Sequence, residues 1–135
     1  MVYWISVEDM WFPDVDEADE YGRVAVGGDL SIERLILAYS SGIFPWYSEE
    51  EPIIWYSPDP RFILSTSQVK ISKSMRPYFN KRKYTVSYNT CFEEVIQHCS
   101  SIVRDGQIDT WITNDMIAAY VSLHQKGLLP IGSQL

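Results

Sequence analysis

Apolar residues recur at helical spacing in three stretches of this chain. In residues 31–41 they fall at Ile32, Leu35, Ile36 and Tyr39, with Ser31 placed to cap the start and Gly42 the end. In residues 89–100 the same spacing joins Phe92, Val95, Ile96 and Cys99, with Asn89 as the cap and Glu93 and Glu94 near the positive end of the helix. In residues 113–126 it joins Met116, Ile117, Tyr120 and Leu123, and Gly127 closes the element. Strand-like runs lie at residues 2–7, 53–55, 62–64 and 84–88, the last alternating as YTVSY. Residues 72–79 fit one or two helical turns, interrupted at Pro77. Helices and short strands follow one another without a regular βαβ rhythm, which predicts an α+β fold.

Residues 42–64 break the periodicity. Phe44, Trp46, Tyr47, Trp55, Tyr56 and Phe62 are threaded there with Pro45, Pro52, Pro58 and Pro60. Prolines this dense exclude a helix and fix the backbone along a loop-rich path. The segment reads either as a platform for a flat or apolar ligand, or as a connector whose aromatics cover a small core. Just before it, Gly27-Gly28 ends a short apolar stretch, residues 22–30. The pair lacks phosphate-loop spacing and reads as a tight turn.

Composition narrows the class. At 135 residues, 46% apolar and 21% charged, the chain is about one soluble globular domain. No apolar run approaches the roughly 18 residues of a membrane span, and Glu8 and Asp9 stand where a signal peptide would be apolar. A cytoplasmic protein is the expectation. Cys91 and Cys99 fall on one predicted helix, about 12 Å apart by helical rise, too far for a disulfide and expected in or near the core.

The net charge of −7 argues against nucleic acid, but its distribution does not. Lys70, Lys73, Arg76, Lys81, Arg82 and Lys83 place six of the 11 basic residues in one acid-free window. That is either a solvated face or a local footprint for phosphate.

Catalytic signatures are sparse. His98 and His124 sit in no nucleophile turn, no metal-ligand spacing is present, and no cofactor is implied. Glu49, Glu50 and Glu51 form a solvated run, with a minority reading as a lure for a cationic peptide end. Trp111, ahead of the Thr113 cap, is a pocket wall or a helix lid.

The segment VGGDLSIERLILAYSSGIFPWYSEEEPIIWYSPDPRFIL closely resembles the signature region of the bacterial leucyl/phenylalanyl-tRNA–protein transferases. ISKSMRP, FEEVIQHC and TWITNDMIAAYVSLHQKG match the same family in the same order, so the likeness runs from about Phe12 to Gly127. Tyr56 in place of a second tryptophan is a mild departure. The resemblance implies an aminoacyltransferase that moves leucine or phenylalanine (also methionine) from charged tRNA to proteins beginning with Lys or Arg, marking them for degradation. It implies a small N-terminal α/β domain, residues 1–64, then a domain related to the GNAT acyltransferases, residues 65–135.

By position in the matching motifs, Trp46, Trp111, Tyr120 and Tyr39 are candidates for an aminoacyl-adenosine pocket. Lys70, Lys73, Arg76, Lys81, Arg82 and Lys83 would hold the tRNA through phosphates. After LHQKG the family continues with a histidine-containing strand and the second half of the acyltransferase domain. Residues 128–135 stand in its place, so the resemblance implies a truncated chain or a fragment, with the proton-handling residues in the missing part. An open sheet edge and exposed apolar surface are then expected. Two other readings stand beside this one. The first is a catalytically inactive remnant that still binds tRNA; the second is a non-enzymatic module holding a sugar between Trp46 and Trp55.

Overall fold

The computed structural model describes residues 1–106 and 110–128, so most of the closing segment LLPIGSQL lies outside it. The fold is mixed α/β. Strands β1 (Tyr3–Ile5), β2 (Arg23–Gly27), β3 (Phe44–Pro45) and β4 (Ile54–Tyr56) form one sheet in the order β1-β2-β4-β3. β1 and β2 run parallel, and the other two pairings are antiparallel. The helices are α1 (Ile32–Ser40), α2 (Arg76–Asn80), α3 (Phe92–Ser101) and α4 (Asn114–Gln125).

α1 and α4 begin where their caps direct. Ser31 Oγ accepts the Arg34 N–H at 3.3 Å and Thr113 Oγ1 accepts that of Met116 at 3.2 Å, satisfying donors that a helix start leaves open. The apolar stripe of α1 buries Leu35 and Ala38 against the sheet residues Ile5, Val24, Ala25 and Trp55, and α4 closes the same core with Leu123. Trp55 is fully buried, with Phe12 edge-on at 4.9 Å, and its indole N–H donates to Gly27 O at 2.9 Å. Burying one such side chain contributes about 1.5–3 kcal/mol.

Arg34 lies in this core with no exposed surface. Nε donates to Asp29 Oδ1 at 3.0 Å, Nη1 to Asp9 O at 3.2 Å, and Nη2 to Ser6 O and Val7 O at 3.0 and 3.2 Å. The residue straps the chain after β1 to the start of α1. The two glycines make room for it. A Cβ on Gly27 would lie 2.6 Å from Ile5 O, one on Gly28 2.9 Å from Arg34 Nε, and both residues have positive φ. The tight turn expected there is present, and only glycine fits it.

Three expectations fail. Residues 62–64 and 84–88 form no strands; Phe62, Ile63, Leu64, Tyr84 and Val86 are all exposed. β4 is already flanked by β2 and β3, and neither run meets another strand among the described residues. Asn89 does not cap α3: its φ of +59° is left-handed, whereas an N-cap is extended. Cys91 occupies the cap position, and its side chain makes no capping bond to the helix. Both cysteines are exposed rather than near the core. Phe92 stacks on His124 of α4 at 4.7 Å, which leaves Val95 and Cys99 turned outward.

Candidate aminoacyl-adenosine site

Alternation along β3 and β4 sorts the aromatic segment into two faces. Pro45 and Trp55 turn into the core, while Phe44 and Tyr56 are only half-buried and Trp46 is 52% exposed. Pro45 has no N–H to give, and pairing resumes at Trp46, whose N–H donates to Ile54 O at 2.9 Å. The outward rings form a series. The Arg61 guanidinium lies 5.6 Å from the Phe44 ring and donates to Gly42 O and, at 3.3 Å, to Ser57 Oγ. Phe44 stacks on Tyr56 at 6.2 Å, and Tyr56 meets Trp46 at 5.8 Å. Such a ladder holds its terminal indole in one orientation and leaves the face beyond it open to a flat partner.

A second group of side chains links α1, the end of β3 and α4. The hydroxyls of Tyr39 and Tyr120 lie 2.5 Å apart with their rings edge-on. Burial pushes both phenols up, and for Tyr120 the neighbouring Tyr39 adds to it. Both therefore stay neutral donors across the physiological range and cannot serve as bases there. Tyr47 is also buried, and burial pushes its phenol up, with Asp115 adding to the rise and the Thr113 side chain opposing it. Sequence reading missed Tyr47. The signal was present, because alternation from an outward Trp46 turns the next residue inward.

Of the four predicted pocket residues, Tyr39 and Tyr120 are in contact. Trp46 adjoins Tyr47, and Trp111, 42% exposed, stands two residues before Thr113. Trp55 belongs to none of this. Its complete burial overturns the reading that pairs it with Trp46 around a sugar. The acidic run Glu49–Glu51 faces Thr110, Thr113 and Asn114 across an open cavity of about 730 Å³. Glu51 also closes its own turn by accepting the Ser48 N–H at 2.9 Å.

The predicted cations all lie on an exposed stretch. Arg76 opens α2, Lys81 follows its end, Arg82 turns at φ +47°, and Lys70 and Lys73 precede the helix. Tyr78 and Tyr84 stack at 6.1 Å, with Lys83 Nζ 5.0 and 5.6 Å from the two rings.

Comparison with known proteins names a family for the chain. The family model described as the leucyl/phenylalanyl-tRNA protein transferase N-terminal domain matches residues 28–59, and that of the leucyl/phenylalanyl-tRNA protein transferase matches residues 63–130. A leucyl/phenylalanyl-tRNA–protein transferase of Flavobacterium johnsoniae is 55% identical over 90% of this chain and 57% of its own length. One from Myxococcus xanthus is 53% identical over 86% and 50%, and one from Christiangramia forsetii 49% identical over 94% and 59%. The chain thus spans about half the length of the curated relatives it matches. The two matched stretches together cover most of the chain, which belongs to the leucyl/phenylalanyl-tRNA–protein transferase family.

Proposed function

We propose that the chain serves the transfer of leucine or phenylalanine from an aminoacyl-tRNA to the N-terminal Lys or Arg of an acceptor protein, a cytoplasmic tagging step for degradation. The observation that carries this reading is the ring ladder ending on half-exposed Trp46, in a chain of the leucyl/phenylalanyl-tRNA–protein transferase family. Residues 1–64 then form the N-terminal domain and residues 65–135 the first part of a GNAT-like domain.

An aminoacyl ester is already activated. The acceptor's neutral amine attacks its carbonyl carbon, the bond to the ribose oxygen breaks, and the amine's proton ends on the departing hydroxyl. What this chain offers is placement. Trp46 and Trp111 stack the terminal adenosine, with Tyr39 and Tyr120 as neutral donors beside it. Lys70, Lys73, Arg76, Lys81, Arg82 and Lys83 hold the acceptor stem by its phosphates without reading sequence. The acidic remainder of the chain suits a cationic acceptor.

The test is a transfer assay with radiolabelled leucyl-tRNA, an Arg-initiated peptide and the 135-residue chain. Labelled peptide upholds the reading. Salt-sensitive tRNA binding without product selects the inactive remnant, and failure to bind tRNA overturns both.

A further inference from the structure

Arg61 stands at the far end of the ring ladder from Trp46 and ties together three parts of the chain. Its Nη2 donates to Gly42 O, just past α1, and at 3.3 Å to Ser57 Oγ, just past β4. Its guanidinium carbon lies 5.6 Å from the centre of the Phe44 ring on β3. α1 has no basic residue in its own last turn, so Arg61 brings a cation to the negative end of that helix from outside. Trp46 is held differently. Its backbone is fastened to Ile54 O, but half of the residue is exposed, and its indole rests on Tyr56, which leans in turn on Phe44. An indole half in water keeps one rotamer only while a neighbouring ring keeps it there.

We propose that Arg61 is a positioning residue that fixes the Trp46 indole through the Phe44 and Tyr56 rings. The inference rests on the reading that Trp46 receives the terminal adenosine of the tRNA. Arg61 is itself exposed, so its replacement leaves the core intact. Both of its hydrogen bonds come from one nitrogen, so a lysine ammonium can supply them while keeping a cation by the ring. Loss of a cation from an aromatic ring at an exposed site corresponds to about fivefold in an equilibrium constant.

The experiment uses the whole chain and two probes: an adenosine carrying a leucyl group on a stable 3′-amide, which has no phosphate, and tRNA trimmed of its terminal adenosine. Calorimetry of Arg61→Ala is expected to show about fivefold weaker binding of the adenosine probe and unchanged binding of the trimmed tRNA. Arg61→Lys should recover the adenosine affinity to within about twofold of the unsubstituted chain. Phe44→Leu cuts the ladder between Arg61 and Trp46 while keeping an apolar side chain on β3. In that background Arg61→Ala should cost nothing further, because the path is already broken.

The inference falls if Arg61→Ala stays within about twofold of the unsubstituted chain, if Arg61→Lys is as weak as Arg61→Ala, or if Phe44→Leu leaves the cost of Arg61→Ala undiminished. Equal loss for both probes would make Arg61 a general support of the fold, and loss confined to the trimmed tRNA would make it a phosphate contact; either overturns the positioning role. Trp46→Ala separates this from the wider reading. If it leaves adenosine-probe affinity unchanged, or if the unsubstituted chain does not bind that probe, the pocket assignment itself fails and the role of Arg61 with it. If Trp46→Ala abolishes adenosine binding while Arg61→Ala is silent, only the role of Arg61 falls.

Discussion

Trp55 and Phe62 are both aromatic residues in short strand-like runs seven positions apart, and they end in opposite environments. Trp55 is fully buried between two neighbouring strands with its indole N–H satisfied, whereas Phe62 is fully exposed. The contrast extends to their surroundings. The sheet with α1 and α4 encloses one continuous core, while every residue from 59 to 91 is exposed. Charge follows the same division. Arg34 is enclosed by a carboxylate and three carbonyls, while the cations of residues 70–83 stand together in an acid-free stretch. Alternation prepares a segment to be a strand, but a partner makes it one. Cations gathered without acids are suited to an external anion rather than to the chain's own core.

The largest effect that would test this division is at Arg34. Arg34→Ala would empty a fully buried site, leave three backbone carbonyls without their donor and leave Asp29 with its bonds from Ser31 alone, at a cost of roughly 3–5 kcal/mol. Urea unfolding measures it. A loss below about 1 kcal/mol would mean that water replaces the strap and that the two halves differ less than their burial suggests.

A smaller effect comes from pH. Burial alone would raise the Asp29 carboxyl, but hydrogen bonds from Ser31 and Arg34 outweigh it and hold the group below its ordinary value. The folded state therefore binds the proton less readily than the unfolded chain. The contribution is complete above the unfolded carboxylate range, about pH 4, and drains away as pH falls through the depressed folded value. Asp29→Asn should flatten the acid limb of the stability profile and leave the Arg34 carbonyl bonds in place. An equally steep acid limb would remove Asp29 from the account.

How much of this was legible in the sequence divides along the same line. α1 and α4 could be read to within a residue or two, because Ser31 and Thr113 act on neighbours three positions away. β1 and β4 followed from local alternation. Burial of Arg34 was not legible, since its acceptors lie up to 28 residues distant. Nor could alternation separate β4 from residues 62–64, because pairing is settled by what comes alongside. The pocket candidates came from family motifs. Periodicity alone would have found the stripe holding Tyr120, and nothing local linked it to Tyr39, 81 residues away. Tyr47 lay open to simple strand parity once Trp46 was placed outward.

In the exposed half, a change of function is expected without a change of stability. Replacing Lys81, Arg82 and Lys83 together by Ala should leave the unfolding free energy within about 0.5 kcal/mol, since exposed charges contribute little. The slope of log affinity for tRNA against log salt should fall by about 2 to 3, close to one for each phosphate no longer neutralised. An unchanged slope would mean that other cations neutralise the phosphates, and the acid-free window would be a solvated face only.

The smallest predicted effect probes the contrast most directly. Phe62→Ala should change stability by less than about 0.5 kcal/mol, because a side chain already in water has little to lose on truncation. Trp55→Ala, the matched change in the packed half, should cost about 3–5 kcal/mol through lost burial and the cavity left behind. Both numbers come from the same chain under the same denaturant, so uncertainty in the extrapolation is shared between them. If Phe62→Ala cost more than about 1 kcal/mol, its ring would have to be covered in solution by something that also stabilises the folded chain. Dependence of that cost on protein concentration would then identify the cover as a second copy, and independence as the chain itself. In either case Phe62 would have found the partner whose absence separates it from Trp55.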